Sequence, residues 1–401
     1  MNIRLARAAV MKGAGNIEIQ EFPIPEIKEN EALLKVELSG ICGTDKNMYK
    51  GFITHPGGKI TPFPIIPGHE IVGIIHDIGE EAKATLEGTG EELKRGDRVV
   101  PVCDVGCGTC FNCRFTYGYV AWCERSFGYG TLISCKDPPH LFGGWSQYTY
   151  IHPNTLLFKA EKIPPEVAVL TEPFAVAYGT LMKAMHPCSP TLDLHGFNPG
   201  DTIVIQGPGP IGLIHAIMAR IVGAGDIIIV GAGTEADSWR VNYISKEFAN
   251  VVDYTVNERD SESRVREVLS LTGGKGADLV IECTGVPDAL VEGLEMLRGK
   301  GGMLLIVGIF IDVGRSVEIN PARLISHKGA LIMGVPNHPL QGYRVALKLM
   351  RKFMGRIPFH KIVTHIYPLD KAKKAVEKAV EGKVIKVAIA PNKHIEACST
   401  H

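Results

Sequence analysis

The sequence predicts an α/β protein with two parts, a small irregular β domain followed by a doubly wound parallel sheet. From Ala8 to about Tyr150, short apolar runs such as Leu33–Leu38 are separated by turn residues, which is typical of short antiparallel strands. Beyond Pro165, apolar strands alternate with helical segments, as in a parallel sheet covered on both faces. The chain of 401 residues is long enough for both parts, since one domain usually takes about 150 residues.

The charge balance argues against polyanionic partners. Lys and Arg together number 43, and so do Asp and Glu, so there is no whole-chain basic field for nucleic acid or an anionic membrane. The first residues lack the apolar stretch of a signal peptide, and no apolar run approaches the length of a membrane span. We therefore expect a cytoplasmic protein with a small-molecule partner, whose ten cysteines serve thiolate chemistry or metal binding rather than disulfides.

The elements of the parallel sheet follow from the apolar runs. Buried strands are predicted at Thr202–Gln206, Ile227–Val230, Val251–Tyr254, Leu279–Cys283, Leu304–Val307 and Leu331–Met333. Two amphipathic helical segments, Tyr343–Met354 and Lys371–Glu381, precede a final strand at Val384–Ala390, which we expect to pack on the first domain. The charged stretch Gly79–Lys94 is expected to be an exposed insertion outside the core.

A glycine-rich turn joins the first strand of this sheet to a helix. The sequence Gly207-Pro-Gly209-Pro-Ile211-Gly212 has the G-x-G-x-x-G spacing, in which the glycines allow a tight turn, approach of a pyrophosphate and close packing of helix on strand. The helix N-terminus offers free N–H groups to phosphates. The context predicts a dinucleotide site that includes Gly207, Gly209, Ile211 and Gly212.

The acidic residue that should bind the adenosine ribose is less obvious. Gly231 stands at the expected strand end, and Glu235 and Asp237 follow it. Either carboxylate could reach the ribose, or Asp237 could merely cap the helix that carries Arg240. Arg240 is the basic residue that a 2′-phosphate would need. The balance favours NAD, with NADP possible.

Four cysteines have the spacing of a closed metal site. Cys107, Cys110 and Cys113 are separated by two residues each, and Cys123 follows. Four thiolates make a tetrahedral zinc site with no open position, so the predicted role is structural, in a lobe spanning 103–125. Disulfide pairing or coincidence is the alternative.

A second set of possible metal ligands is scattered along the chain. Cys42, His69, Glu70 and Glu172 follow no spacing rule that would gather them. A lone histidine after a glycine is usually a structural residue, so the residues alone leave both interpretations of His69 open.

Together these motifs resemble the zinc-dependent medium-chain dehydrogenases, the family of alcohol, sorbitol, threonine and archaeal glucose dehydrogenases. The resemblance covers nearly the whole chain in the right order. It is carried by the Cys42 turn, Gly68-His-Glu70, Gly96-Asp-Arg-Val99, the four-cysteine lobe, Gly143-Gly-Trp-Ser-Gln-Tyr148, Glu172-Pro173, the glycine-rich turn and Glu282-Cys-Thr-Gly285.

The resemblance implies roles for the scattered set. Cys42 and His69 would bind a catalytic zinc, Glu70 would be a ligand that can enter or leave, and Glu172 would take the remaining place, as in the polyol, threonine and glucose members. Thr44 would take the hydroxyl proton of the substrate and pass it on.

Other residues complete the implied site or depart from the family pattern. Cys283 and Thr284 would lie near the nicotinamide. Asn47 stands where many members have a relay histidine, and an amide cannot take up a proton at neutral pH. The gap from Cys113 to Cys123 is longer than usual, which widens the loop of the lobe without keeping the sulfurs apart.

The resemblance also implies the domains and the activity. It predicts a GroES-like catalytic domain over 1–169, a Rossmann NAD(P)-binding domain over 170–331, and a return to the catalytic domain over 332–401. The implied activity is hydride transfer between a secondary alcohol or polyol and NAD(P), with two zinc ions per subunit in a homodimer or homotetramer. An aldose 1-dehydrogenase of the same family and a non-catalytic nucleotide-binding redox sensor are the alternatives.

Overall fold

The computed structural model describes residues 4–55, 58–115, 123–186, 196–309, 312, 314–392 and 398–399. The chain divides into two compact units, the first comprising Met1–Ala175 and Pro339–His401 and the second Val176–His338. Residues 116–122 of the predicted zinc lobe lie outside the described residues. Within the described ranges, no helix is long and apolar enough to cross a membrane.

Strands and helices are numbered in chain order. The strands are β1 (Leu5–Gly13), β2 (Asn16–Pro23), β3 (Ala32–Gly40), β4 (Glu70–Ile78), β5 (Arg98–Pro101), β6 (Asp104–Val105), β7 (Phe127–Gly128), β8 (Tyr148–Ile151), β9 (Leu157–Lys159), β10 (Ile203–Gln206), β11 (Ile227–Gly231), β12 (Tyr254–Asn257), β13 (Leu279–Glu282), β14 (Met303–Ile306), β15 (Leu331–Gly334), β16 (Val363–Pro368), β17 (Lys386–Ala390) and β18 (Cys398–Ser399). The α-helices are α1 (Gly43–Lys50), α2 (Ala82–Thr85), α3 (Phe111–Phe115), α4 (Pro165–Ala168), α5 (Thr171–Met185), α6 (Pro210–Val222), α7 (Glu235–Glu247), α8 (Ser261–Leu271), α9 (Asp288–Met296), α10 (Leu340–Phe353) and α11 (Ala372–Glu381).

The first unit is built on an eight-stranded sheet with strand order β18-β16-β17-β3-β4-β5-β9, and β8 also pairs with β3. The late strand β17 pairs antiparallel with β3, with Ala388 opposite Gly40. The C-terminal part of the chain therefore completes the sheet of the first unit.

The stretch Gly79–Lys94 contributes to this core, so its prediction as an exposed insertion was wrong. Ala82, Leu86 and Leu93 are fully buried in the hydrophobic cluster of the first unit. Ala82 lies on the short helix α2, Leu86 and Leu93 follow it, and the charged side chains of the stretch are exposed or half-buried.

The second unit contains a six-stranded parallel sheet with strand order β12-β11-β10-β13-β14-β15. In its register, Gln206 at the end of β10 pairs with Val230 of β11 and with Glu282 of β13. The order reverses between β10 and β13, which makes the carboxyl ends of these two strands the switch point of the sheet. The α/β fold class predicted from the sequence is confirmed.

Five of the six predicted strands of the parallel sheet agree with the structure to within one residue at each end. The exception is the predicted strand Val251–Tyr254, whereas β12 spans Tyr254–Asn257. Val251 and Val252 are buried, but their amides donate to the carbonyl of Phe248 in the turn that follows α7. These two apolar residues belong to the buried turn at the end of α7 and not to the strand that follows it.

Candidate active site and metal centres

Cys42, His69 and Glu70 come together where two neighbouring strands of the first unit meet. Cys42 is the N-cap of α1, just after β3, and His69 immediately precedes β4. β3 and β4 pair antiparallel with Gly40 opposite Glu70, so the end of one strand lies beside the start of the other. As a result, a ligand atom of each of the three residues lies within 4.8 Å of the other two.

Asp45 holds the two loops that carry Cys42 and His69. One oxygen of its fully buried carboxylate accepts a hydrogen bond from the Cys42 amide at 2.8 Å, and the other accepts one from the Gly68 amide at 3.2 Å. Burial raises the pKa of this carboxyl. This role was not predicted; a polar residue three positions after an N-cap is a local pattern that indicates the bond to Cys42 but not the bond to Gly68.

The imidazole of His69 has an atom suited to a metal. His69 is buried, and its Nδ1 has no hydrogen-bond partner among the described residues. Burial lowers the pKa of the imidazole, but the Cys42 sulfur and the Asp45 carboxylate outweigh this and leave the pKa well above the ordinary histidine value. The site therefore favours a positive charge, and its thiolate, imidazole and carboxylate are typical zinc ligands.

Glu70 forms a buried ion pair with Lys386 of β17. Both side chains are almost completely removed from water, and the second carboxylate oxygen of Glu70 has no partner within the described part of the chain. A Cβ atom at Gly40 would lie 1.9 Å from that oxygen, so a side chain there would displace the Glu70 carboxylate. Lys386 was not predicted, because its local signal is no more than a charged residue inside an otherwise apolar strand.

Glu172, the second residue of α5, is not part of the 4.8 Å cluster. Removal from water raises the pKa of its carboxyl to about 7, while the positive charge of His69 opposes that rise. Glu172 is thus close enough to act electrostatically on the cluster. Thr44 lies on α1 with its hydroxyl 4.0 Å from the Cys42 sulfur, and Asn47 is half-buried one turn further along the helix.

The four cysteines of the lobe form a second cluster, with all four sulfur atoms within 4.8 Å of one another. The Cys110 amide donates to the Cys107 sulfur at 3.3 Å, and the Cys113 amide donates to the Cys110 sulfur at 3.4 Å. A hydrogen bond from the Thr109 hydroxyl helps to lower the pKa of Cys107 to about 5. The Cys110 and Cys123 sulfurs are 3.9 Å apart, which is a contact between two thiols and not a disulfide.

The glycine-rich turn of the second unit has the backbone that its sequence predicted. Gly207 has a φ of 102°, which favours glycine, and Gly209 is the N-cap of α6. A Cβ at Gly212 would lie 2.0 Å from the Gly207 carbonyl oxygen, so the helix can approach the strand only without a side chain there. Ile211 lies in the first turn of α6, beside the free amides of the helix N-terminus.

In the loop after β11, Asp237 does not cap the next helix, so that alternative for Asp237 was wrong. The N-cap of α7 is Thr234, whose hydroxyl accepts a hydrogen bond from the Asp237 amide at 3.0 Å. The Asp237 carboxylate instead accepts from the Ala232 amide at 3.1 Å and lies 3.6 Å from the Arg240 guanidinium. Glu235 is exposed in the first turn of α7.

Cys283 and Thr284 follow β13 directly. The Cys283 sulfur lies 3.9 Å from Nδ1 of the buried His215, and burial raises the pKa of this thiol well above its usual range. Cys283 is therefore a poor nucleophile. A Cβ at Gly207 would lie 3.2 Å from the Thr284 side chain, so this turn adjoins the glycine-rich turn.

Comparisons with known proteins agree with this geometry. The alcohol dehydrogenase GroES-like domain matches residues 28–162, and the glucose dehydrogenase C-terminus matches residues 165–390, more than half of the chain. These matches define the class as a two-part dehydrogenase with a GroES-like domain. The chain belongs to the zinc-dependent medium-chain dehydrogenase family, as its motifs indicated.

Individual relatives are similar over almost their whole length. The sorbitol dehydrogenase of Bacillus subtilis is 28% identical over 390 residues, which cover 96% of this chain and 98% of the relative. The L-threonine 3-dehydrogenase of Pyrococcus abyssi is 28% identical over 96% of this chain and 99% of its own. Among solved structures, an alcohol dehydrogenase of Thermotoga maritima has a TM-score of 0.82 and 28% identity, covering 97% of this chain and 100% of its own.

Proposed function

We propose that the protein is a zinc-dependent, nicotinamide-linked dehydrogenase that oxidises a secondary alcohol or polyol, or reduces the corresponding ketone. The observation that carries the proposal is the buried His69 imidazole, whose Nδ1 lacks a partner within the described residues while a thiolate and a carboxylate lie within 4.8 Å of the ligand atom that His69 offers. The names of similar proteins, sorbitol dehydrogenase and D-arabinitol dehydrogenase, support the substrate class.

Two zinc ions per subunit are proposed. Cys42 and His69 would hold the catalytic ion, with Glu70 and Glu172 as alternative carboxylate ligands. When bound there, zinc supplies Lewis acidity that lowers the pKa of an alcohol hydroxyl. Cys107, Cys110, Cys113 and Cys123 would hold the second ion, which leaves no open position and therefore stabilises the lobe.

The remaining steps of alcohol oxidation fall to the protein's own groups. Thr44, two residues after Cys42, is proposed to accept the hydroxyl proton and pass it on. Asn47 cannot take it further, so the proton leaves by water, by the ribose hydroxyl of the cofactor or by Glu70. Lys386 compensates the charge of Glu70 and holds that carboxylate in place while the proton moves.

The dinucleotide is proposed to bind to the second unit through Gly207, Gly209, Ile211, Gly212, Cys283 and Thr284. For the adenosine ribose, Asp237 and Glu235 are the nearby carboxylates, which favours NAD. Arg240 could bind a 2′-phosphate only by giving up its interaction with Asp237. We further propose catalytic regions at 1–169 and 332–401 around a dinucleotide-binding region at 170–331, and a homodimer or homotetramer as the assembled form.

The test is a substrate panel with the zinc-loaded protein. Secondary alcohols, polyols, amino alcohols and aldoses are each mixed with NAD and, separately, with NADP, and the near-ultraviolet absorbance of the reduced nicotinamide is followed. Reduction with an alcohol or polyol is expected, and NAD is expected to be the better acceptor. No reduction by any compound, with zinc confirmed in the sample, would contradict the proposal.

Thr44 gives a sharper test of the mechanism. Thr44→Val removes the hydroxyl and keeps the shape, so we expect turnover to fall by about 10²-fold or more with zinc content unchanged. Thr44→Ser retains the hydroxyl and should keep most of the activity. Equal turnover by the Val and Ser variants would exclude Thr44 from proton transfer.

A further inference from the structure

A buried carboxylate lies beneath two turns at the switch point of the parallel sheet. Glu282, the last residue of β13, is fully buried. Its Oε1 accepts hydrogen bonds from the Thr284 amide at 2.6 Å, the Thr284 hydroxyl at 2.7 Å and the Gly285 amide at 2.7 Å. Its Oε2 accepts hydrogen bonds from the amides of Gly308 at 3.0 Å and Ile309 at 2.8 Å.

This arrangement of backbone N–H groups suits the acceptor-only geometry of a carboxylate. An ionised carboxylate only accepts hydrogen bonds, and every contact of the two Glu282 oxygens is with a donor. In the described part of the chain, no lysine, arginine or histidine forms an ion pair with Glu282, so N–H and O–H dipoles alone compensate its charge. One side chain thus ties the turn after β13 to the turn after β14.

The two tied turns are packed tightly against each other and against the glycine-rich turn. A Cβ at Gly308 would lie 2.6 Å from the carbonyl carbon of Cys283, and a Cβ at Gly207 would lie 3.2 Å from the same atom. Neither approach leaves room for a methyl group without movement. The turn after β13 therefore adjoins both other turns, and Glu282 links it by hydrogen bonds to the turn after β14.

The sheet order indicates which part of a dinucleotide these turns would meet. In sheets of this order a dinucleotide crosses the switch point, with its adenosine ribose at the end of the second strand. Here the second strand is β11, so the adenosine half lies on the side of β11. The nicotinamide half then lies on the side of β13 and β14, where Glu282 holds the turns.

We propose that Glu282 is the positioning residue for the nicotinamide half of the cofactor, acting through the backbone of the turns at 283–285 and 307–309. It does not touch the cofactor. This inference rests on the proposed dinucleotide-dependent function. Glu282 thus sets the affinity for the nicotinamide half of the cofactor, separately from the glycine-rich turn that binds the phosphates.

The experiment compares the whole cofactor with its adenosine half. Dissociation constants of NADH, NADPH and ADP-ribose are measured by titration calorimetry for the full-length protein and for Glu282→Gln. The glutamine side chain of this variant places an NH₂ group against backbone N–H donors, which disturbs the two turns. We therefore expect the affinity for the preferred dinucleotide to fall by about tenfold or more. The affinity for ADP-ribose, or for its 2′-phosphate if NADPH is preferred, should change by less than about twofold.

Glu292→Gln is the matched control, because Glu292 is also a buried acidic residue of the second unit but bonds Arg264 and Ser261 of α8. It should leave both affinities unchanged. If Glu282→Gln does not fold, Glu282→Asp keeps the charge but shortens the reach, and the same selective loss is expected to a smaller degree.

Equal weakening of dinucleotide and ADP-ribose in the Glu282 variant would overturn the inference, since it would show a general structural role. So would unchanged affinity for both ligands. If the unaltered protein bound neither ligand, the proposed function itself would fail, which is distinguishable from failure of the inference alone.

Discussion

At the scale of single residues, the candidate active site depends on charges that are compensated inside the protein. Glu70 and Lys386 are both almost fully buried and form an ion pair across the sheet, between β4 and β17. A buried charge without its partner is strongly destabilising, whereas the complete pair approximately balances its own desolvation. The pair therefore fixes the position of a proposed zinc ligand more than it adds to stability.

Lys386→Met should lower the free energy of unfolding by about 3–5 kcal/mol, because it leaves the Glu70 carboxylate buried and uncompensated. The double variant Lys386→Met/Glu70→Gln should recover a large part of that loss. Chemical denaturation of each variant measures both effects.

The control for this prediction is Lys378→Met, which breaks the surface pair of Lys378 with Glu381 and should cost at most about 1 kcal/mol. If Lys386→Met cost no more than this control, the buried pair would not have the role assigned to it.

The residues of the site differ in how well the sequence predicts their contacts. The glycine-rich turn and the run of Cys107, Cys110 and Cys113 are short contiguous motifs, so their spacing alone indicated that their residues lie together. Lys386 and Glu70 are separated by 316 positions and meet only because β17 pairs with β3. Asp45 lies three residues after Cys42, but its bond to the Gly68 amide is a tertiary contact that no local pattern contains.

At the scale of elements, α6 carries a buried histidine that ties it to α5. The imidazole of His215 lies 2.7 Å from the Ile211 carbonyl through Nδ1 and 3.0 Å from the Thr180 hydroxyl through Nε2. Because a carbonyl can only accept, Nδ1 is the nitrogen that carries the proton in the neutral ring. Burial lowers the pKa of His215 to about 4.

This lowered pKa predicts a pH dependence of stability. Above pH 6.5, the ordinary histidine pKa, the ring is neutral in both states, and its stabilising contacts are fully retained. As the pH falls from 6.5 towards 4, His215 takes up a proton in the unfolded chain but not in the folded protein, so the free energy of unfolding decreases. We expect about 2 kcal/mol less free energy of unfolding at pH 5 than at pH 7 from this residue alone.

His215→Asn should remove that part of the pH dependence, and His360→Asn, at an exposed position, should not. The measurement is urea unfolding of the three proteins at several pH values. Parallel pH profiles for the unaltered protein and His215→Asn would contradict the assignment of a neutral buried ring.

Elements were predictable where a contiguous apolar run coincides with a strand. The central strands β10, β11 and β13 are fully buried runs and agree closely with prediction. β12 has one buried residue in four, so its own sequence only weakly indicates a strand. The strand was therefore predicted at the preceding apolar residues Val251 and Val252. Propensity cannot distinguish an apolar strand from an apolar turn under a helix.

At the scale of the whole molecule, we expect one of the two proposed zinc sites to stabilise the fold and the other to serve catalysis. The four sulfur atoms of the cysteine cluster would leave a tetrahedral ion no open position, while the cluster of Cys42, His69 and Glu70 is carried by strand ends of the main sheet. Structural zinc contributes directly to folding, whereas an ion with an open position serves chemistry.

Cys113→Ser should reduce zinc from two ions towards one per chain and lower the melting temperature, while the folded fraction stays active at low temperature. Cys42→Ser should also reduce zinc towards one ion per chain, but it should abolish activity with a smaller effect on melting. Metal analysis, calorimetry and turnover on the same samples give the comparison. Identical effects of the two substitutions on melting and turnover would refute the division of roles.

The most direct test of zinc-dependent, nicotinamide-linked dehydrogenation measures zinc content and alcohol-dependent reduction of the dinucleotide on the same sample during dialysis against a chelator and reloading. We predict that turnover falls in parallel with loss of the more labile zinc and returns when zinc is restored. Undiminished turnover in protein essentially free of zinc would contradict the account.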